Sequence, residues 1–218
     1  PDSFNLHFFA DAMAGKPFAV IETDGHSGDA GTKTRIEAFL HCVREDERAM
    51  GSLRAKQNDF TRIDQNTVAM ADIKRQGEVL LIPRMGSNAE VLAAAYRGAG
   101  FRAEALALPD HDALELGRRH TSGKECLPMT ITAGSLLARL ERESDPTTRF
   151  AFFMPTANGP CRFGTYNLLH KLILERTGWS DRVRVFSPAD DDYFKEVDGG
   201  FQALIWAGFV AEDLLLDA

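Results

Sequence analysis

The stretch EVLLIPRMGSNAEVLAAAYRGAG (78–100) decides the fold of this chain. Its first part, EVLLIPR (78–84), is a short apolar run of strand length, and GSN (86–88) provides residues that begin helices. The segment 89–100 is periodic and closes with glycine, as helices commonly do. A buried strand followed directly by a helix predicts one βα unit.

The same alternation continues towards the end of the chain. Further strands are predicted at AEALALP (103–109), RFAFFMP (149–155) and RVRVFSP (182–188), and helices near 112–120, 128–143, 162–178 and 200–217. Apolar strands that alternate with helices are typical of a parallel sheet covered on both faces. The sequence therefore predicts an α/β fold, a Rossmann-like parallel sheet with helices on both faces. Ligands of such folds bind beyond the carboxyl ends of the strands.

The N-terminal part has a different pattern. PFAVIE (17–22) predicts a short strand, and the Gly-rich stretch 23–31 predicts a loop. The polar residues Glu22, Asp24, His26 and Asp29 in and beside this loop could form a metal or polar-substrate site, but the preferred interpretation is that the carboxylates cap the next helix. That helix is predicted over 32–46, with one apolar face formed by Ile36, Phe39, Leu40 and Val43. Residues 50–76 are polar and predict a connector, so the expected boundaries are 1–49, 50–76 and 77–218.

Composition excludes several classes of protein. The chain has 218 residues, of which 44% are hydrophobic and 26% charged, as in ordinary globular domains. Its net charge of −7 argues against a nucleic-acid partner held by phosphate attraction. No apolar run is long enough to predict a transmembrane helix, so no membrane partner is expected. Three cysteines without a disulfide pattern favour a reducing, cytoplasmic location.

Two of the cysteines lie in similar loops, Cys126 in GKECLP (123–128) and Cys161 in GPCRFG (159–164). Each opens a predicted helix, where the helix dipole favours a thiolate suited to metal ligation or nucleophilic attack. Cys161 follows the strand 149–155, and Cys126 opens the helix before that strand. We therefore expect the two thiols to converge in one crevice.

The two cysteines could also be structural residues, zinc ligands or nucleophiles. Buried structural cysteines are common. A zinc site normally needs close Cys or His pairs, which are absent, and His170 lies mid-helix, where a helix-face role is expected. A nucleophilic Cys161 would need a general base, and no histidine lies at a sequence spacing from Cys161 that suggests one. Thiols on separate loops fit an iron–sulfur cluster better. Cys42, inside the first helix, is predicted to be structural.

Three segments resemble the 2-hydroxyacyl-CoA dehydratase and benzoyl-CoA reductase family: IETDGHSGDAGTKTRIEAFL (21–40), GKECLPMTITAGSLL (123–137) and FFMPTANGPCRFGTYNLLHKLILERTG (152–178). The resemblance is closest to the dehydratase-like part of large CoA-enzyme activase-type proteins. It implies a Rossmann-like half-module that carries an iron–sulfur cluster, 4Fe–4S or related. An ATPase activator would supply low-potential electrons, and an acyl-CoA would be the substrate.

The resemblance also implies particular site residues. Cys126 and Cys161 would be two metal ligands, and further contacts to the cofactor would come from Gly123, Lys124, Glu125, Pro160 and Arg162. In that family a third cysteine precedes a segment like 21–40, which here lies upstream of both loops. Residues 1–49 are therefore expected to end one half-module and 77–218 to begin the next, with the third ligand outside this chain.

Two other functions remain open from the sequence, as does the question of whether the chain is itself an enzyme. One is a docking module for an activator or partner subunit. The nearly all-apolar helix 200–217 suggests it, with Ile205 and Phe209 as expected contact positions. The other is a small-molecule binding domain without redox chemistry. A homo-oligomer is also compatible with the sequence.

Overall fold

The computed structural model describes residues 2–21, 29–49, 68–157, 161–189, 197 and 199–217. Contacts divide the chain into two compact units, which meet in sequence near residue 60. The first unit contains helices α1 (Asp2–Ala12) and α2 (Asp29–Ala49). None of the described helices is both long and apolar enough to cross a membrane.

The strand predicted at 17–22 is wrong for the residues that the structure describes. Residues 17–21 are irregular, and Phe18 and Val20 are 37% and 45% exposed. A strand needs a backbone partner, and no strand occurs among the described residues of this unit. Residues 22–28, which include Glu22, Asp24 and His26 of the predicted loop, lie outside the described residues.

Helix α2 contains the predicted helix 32–46 but begins earlier, at Asp29. Its expected apolar face is not closely covered, because Ile36 and Leu40 are 41% and 45% exposed. Cys42 is also exposed on this helix.

The second unit contains the predicted α/β alternation. Its elements in chain order are α3 (Met70–Gln76), β1 (Val79–Ile82), α4 (Ala89–Gly98), β2 (Arg102–Ala105), α5 (His111–Arg119), α6 (Leu127–Glu141), β3 (Phe150–Phe153), a 3₁₀ turn (Arg162–Thr165), α7 (Tyr166–Arg176), β4 (Val183–Phe186) and α8 (Gly199–Leu216). Helix α3 falls in the predicted connector, where its Met70 and Ile73 are buried in the core. Residues 50–67 lie outside the described residues, and the domain boundaries remain a prediction.

The four strands form one parallel sheet in the order β2-β1-β3-β4. Strands β1 and β3 are central, and every residue in them is buried. Val79 pairs with Arg102 of β2 and with Phe150 of β3, and Phe150 pairs with Val183 of β4. The predicted fold class is confirmed.

Helices cover both faces of this sheet, as predicted. Leu80, Ile82 and Phe153 share one face and pack in a core with residues of α3, α4 and α8. On the opposite face, the Phe152 ring contacts His170 of α7 at 4.9 Å between ring centroids. The guanidinium of Arg139, in α6, lies 5.2 Å from the centre of the Phe150 ring. Strand residues alternate between these two cores, which explains their continuous apolar sequence.

Helix α8 has one buried face and one exposed face. Phe201 and Ile205 are 6% and 1% exposed and pack in the core, so the sequence-based expectation that Ile205 is a contact position for a partner is wrong. Phe209 is partly buried against the same core.

Helices α5 and α6 approach each other at two glycines. A Cβ atom at Gly134 would lie 1.7 Å from the carbonyl oxygen of Ala113, and one at Gly117 would lie 2.0 Å from that of Thr130. Only glycine permits such close backbone contact. The crossing fixes α6, and therefore the position of Cys126 directly before it.

Candidate functional site

The order of strands places a topological switch point between β1 and β3. From β1 the chain crosses to β2 on one side, whereas β3 lies on the other side. Ligands of open parallel sheets bind beyond the carboxyl ends of the strands at such a point. A ligand site is therefore expected in the segments that follow β1 and β3.

The turn after β3 is anchored at this edge of the sheet. The Thr156 hydroxyl donates a hydrogen bond to the carbonyl of Gly164 (2.7 Å), and the Thr156 N–H donates to the carbonyl of Pro188 (3.0 Å). Gly164 has little space, since a Cβ there would lie 2.4 Å from the carbonyl oxygen of Ala157. These contacts hold the 3₁₀ turn, and Cys161 before it, beyond the ends of β3 and β4.

Cys126 occupies the N-cap position of α6, but its side chain does not cap the helix. The preceding loop is stabilised by Glu125, whose carboxylate accepts hydrogen bonds from the N–H groups of Ser122 (2.9 Å) and Lys124 (3.1 Å). Gly123 has a φ of 85°, a left-handed conformation that favours glycine. The structure thus gives Glu125 and Gly123 roles in shaping the loop that presents Cys126.

Cys161 is exposed and immediately precedes the 3₁₀ turn. Its neighbour Arg162 reaches the other cysteine loop, where Nη1 donates a hydrogen bond to the carbonyl of Lys124 (3.1 Å). The two cysteine loops are thus in direct contact, whereas the convergence of the two thiols in one crevice remains a prediction. Pro160, predicted as a further contact to a cofactor, lies outside the described residues.

Tyr166, the first residue of α7, contacts Cys126. Its hydroxyl oxygen lies 2.9 Å from the Sγ atom of Cys126, in hydrogen-bond contact. Burial, the hydrogen bond to Cys126 and the charges of Cys126 and Cys161 together raise the pKa of Tyr166. The phenol therefore stays protonated at neutral pH.

His170 lies one helical turn after Tyr166, but its side chain is buried in the core and is not available as a ligand. The side chain is fully buried, and its Nδ1 atom lies 2.7 Å from the carbonyl oxygen of Tyr166. Burial lowers the pKa of His170 to about 4, although contacts with the backbone of Tyr166 and Thr132 oppose this shift. His170 is a neutral core residue, in agreement with its predicted helix-face role.

The donor atoms suit an iron–sulfur cluster in kind but not in number. Cys126 and Cys161 offer thiols, the ligands that such clusters use. Among the described residues, however, no three His, Cys, Asp or Glu side chains form a group that could hold a metal ion. The described part of the chain therefore offers two thiols at most to such a cluster.

Tyr166 was missed by the sequence analysis. Tyr166 lies within the predicted helix 162–178, and nothing in the sequence around it indicated a role in the site. Its contact with Cys126 joins residues 40 positions apart. Only the folded arrangement of α6 and α7 brings those residues together.

Comparison of the chain with protein-family models, with curated proteins and with solved structures finds no match.

Proposed function

We propose that this chain is part of an iron–sulfur protein of the 2-hydroxyacyl-CoA dehydratase and benzoyl-CoA reductase type, in which Cys126 and Cys161 supply two thiolate ligands. In this proposal an ATPase activator provides low-potential electrons and an acyl-CoA is the substrate. The observation that carries the proposal is the contact between the two cysteine loops, made by Arg162 with Lys124 and by Tyr166 with Cys126.

The proposed chemistry assigns distinct tasks to the residues of the two loops. Cys126 and Cys161 would hold the cluster from two sides of the crevice, with the remaining ligand coming from elsewhere. A bound cluster with an open iron supplies one-electron reduction and Lewis-acid contact to a substrate oxygen. Lys124 and Arg162, which lie in the two cysteine loops, would supply positive charge that favours the anionic phosphates of an acyl-CoA.

Tyr166 would tune the site through its hydrogen bond. A cysteine sulfur that is ionised or bound to metal has no proton, so the Tyr166 hydroxyl must be the donor in the contact with Cys126. Hydrogen bonds to ligand sulfur stabilise the more negative, reduced state and raise the reduction potential. Tyr166 is thus a positioning and tuning residue in the proposed site.

Anaerobic reconstitution of the full-length protein, which would include the remaining ligand, with ferrous iron and sulfide tests the ligand assignment. We expect visible absorbance and an EPR signal after reduction, and we expect Cys126→Ala and Cys161→Ala each to abolish both. Cys42→Ala is the matched control, because Cys42 is an exposed cysteine on a helix of the other unit and should leave the cluster intact. If the wild-type protein takes up no cluster, or if all three variants behave alike, the proposal fails.

A second variant tests the role of Tyr166. Tyr166→Phe removes one hydrogen bond to sulfur, worth about 1 kcal/mol, which corresponds to about 40 mV for a one-electron couple. We expect the midpoint potential to fall by this order while the cluster still assembles. Tyr96→Phe, in the core on the opposite face of the sheet, serves as the control and should leave the potential unchanged.

A further inference from the structure

His170 of α7 is fully buried against the sheet, where its ring contacts Phe152 of β3. Its Nδ1 atom lies 2.7 Å from the carbonyl oxygen of Tyr166, whereas Nε2 is buried and makes no hydrogen bond of regular geometry among the described residues. A buried polar atom without a partner destabilises a protein, and an apolar side chain would avoid that cost. The contact with Tyr166 is therefore what a histidine supplies at this position and an apolar residue would not.

This contact fixes the place of the imidazole proton. A carbonyl oxygen only accepts hydrogen bonds, so Nδ1 must carry the proton and donate it to the carbonyl of Tyr166. Burial lowers the pKa of His170, so the ring is neutral at pH 7 and has no second proton. His170 thus presents a single N–H, and this N–H is directed at Tyr166.

Tyr166 lies at the junction between two kinds of helix. The 3₁₀ turn Arg162–Thr165 ends directly before it, and α7 begins with it. In a 3₁₀ helix a carbonyl accepts from the residue three positions later, and in an α-helix from the residue four positions later. A donor on residue 170 therefore favours the α-helical direction of the Tyr166 carbonyl.

A change of helix type at this junction would break the contact with Cys126. If Tyr166 joined the 3₁₀ turn, its side chain would rotate about the helix axis by about 20°. A tyrosine hydroxyl lies roughly 8 Å from that axis, so its oxygen would move by about 3 Å. This movement is as large as the 2.9 Å distance between the hydroxyl oxygen and the Sγ atom of Cys126.

The ring of Tyr166 is packed as well. Phe163, two residues after Cys161, contacts it edge to face with ring centroids 5.3 Å apart. Tyr166 is only 4% exposed. Because packing restricts rotation of the ring, the position of the hydroxyl depends on the backbone of Tyr166, which His170 holds.

We propose that His170 is a positioning residue, whose Nδ1–H holds Tyr166 in the α-helical register and so keeps the phenol against Cys126. For the tuning of a cluster, this role rests on the function proposed above, since Tyr166 would act on the cluster through Cys126. For the hydrogen bond to Cys126 itself, the role applies equally to the protein without a cluster.

Two substitutions that differ by one bond in length test the proposal. The side-chain amide nitrogen of asparagine takes the place of Nδ1, whereas that of glutamine reaches the place of Nε2. His170→Asn should therefore keep the hydrogen bond to Tyr166, and His170→Gln should lose it. Helix propensity favours the opposite order, because glutamine is the better helix former.

The rate at which iodoacetamide alkylates Cys126 at pH 7 reports on the contact. In reduced, cluster-free protein the hydroxyl of Tyr166 stabilises the thiolate, which is the form that reacts. Loss of this hydrogen bond should lower the rate about three- to tenfold, after the higher nucleophilicity of a more basic thiolate is allowed for. Tyr166→Phe measures the full effect. Peptide mass spectrometry separates Cys126 from Cys42, an exposed thiol of the other unit that serves as the internal standard.

We expect His170→Gln to react as slowly as Tyr166→Phe, and His170→Asn to react as fast as wild type. The double variant Tyr166→Phe/His170→Gln should be no slower than Tyr166→Phe alone, because His170 acts through Tyr166. Ile173→Val is the control for a disturbed core, since Ile173 is a buried residue of the same helix, and it should leave the rate unchanged. Circular dichroism would verify that the variants remain folded.

Three results would overturn the proposal: a wild-type rate for His170→Gln, equal slowing by both His170 variants, or further slowing in the double variant. A His170→Asn rate as low as that of Tyr166→Phe overturns it even where His170→Gln does not fold. Alkylation needs no cluster, so these results stand whether or not the protein assembles one. Failure of the positioning role is thereby distinguished from failure of the proposed function.

Discussion

Replacement of Gly134 by alanine is expected to destabilise the second unit strongly. The new Cβ would lie 1.7 Å from the carbonyl oxygen of Ala113 and 2.8 Å from the backbone nitrogen of Gly117. Both contacts are with backbone atoms, which cannot move aside by rotating a side chain. Helices α5 and α6 would have to separate by roughly 1.5–2 Å to restore ordinary contact distances.

The magnitude follows from two opposing effects. Overpacking a closely fitted contact costs about 1–3 kcal/mol and sometimes more. Alanine is favoured over glycine inside a helix by up to about 1 kcal/mol, which offsets part of that cost. Because the clash involves only backbone, we expect Gly134→Ala to lower the free energy of unfolding by about 2–3 kcal/mol.

Gly98→Ala provides the matched control. Gly98 lies in the last turn of α4, and a Cβ at this position would meet no atom within 4 Å. This variant gains helix propensity without a clash and should be more stable than wild type by about 0.5–1 kcal/mol. The same substitution at two helical glycines is therefore expected to have opposite signs.

Urea unfolding followed by circular dichroism would measure both variants, with the slope of the transition checked for a change in the surface exposed on unfolding. A Gly134→Ala protein as stable as wild type would refute the inference that α5 and α6 touch through backbone. In that case the fixed position of Cys126 before α6 would lose its structural explanation.

Two further substitutions test the core. The lowered pKa of His170, about 4 when folded against an ordinary 6.5, keeps the folded protein neutral at this position while the unfolded chain binds a proton. This contribution to stability is complete above pH 6.5 and is lost as the pH falls through 4. Between pH 7 and pH 4 the free energy of unfolding, measured by urea titration, should therefore fall by about 3 kcal/mol more for wild type than for His170→Gln. Equal losses in the two proteins would contradict this account. Glu78→Gln removes the charge of a fully buried carboxylate that accepts a hydrogen bond from Arg184 at 2.7 Å, and should cost about 1–3 kcal/mol because Arg184 is partly exposed. The exposed pair Glu115–Arg119 is the control, and Glu115→Gln should leave the urea midpoint unchanged.

The sheet could be predicted from the sequence because its strands are buried on both faces. Residues 79–82 and 150–153 are continuous apolar runs, and each is flanked by segments with helical patterns. The segment 17–22 has a similar apolar composition, yet its described residues form no strand. The composition of a segment shows only that it can form a strand. A strand also needs hydrogen bonds to a neighbouring strand, and the sequence of one segment does not show whether that neighbour is present.

The candidate site could be predicted only in part. The Gly and Pro residues around Cys126 and Cys161 indicated two loops at helix starts, and the alternation of strands and helices indicated that they meet. The partners of those loops were not predictable in this way. Tyr166 and Arg162 act across gaps of 40 and 38 residues, through contacts that depend on how α6 and α7 pack.

The N-cap positions of the second unit can be compared with those of the two cysteines. Asp110 caps α5 in the usual manner, since its carboxylate accepts a hydrogen bond from the N–H of Ala113 at 2.8 Å. Cys126 and Cys161 occupy equivalent positions without capping the helices that follow them. A serine or aspartate there would be worth about 1 kcal/mol of helix stability. Ala69, Asn88 and Thr165 also precede helices of this unit without a side-chain cap. The uncapped positions therefore do not distinguish the two cysteines, whereas the hydrogen bond from Arg162 to the carbonyl of Lys124 does, because it joins their loops.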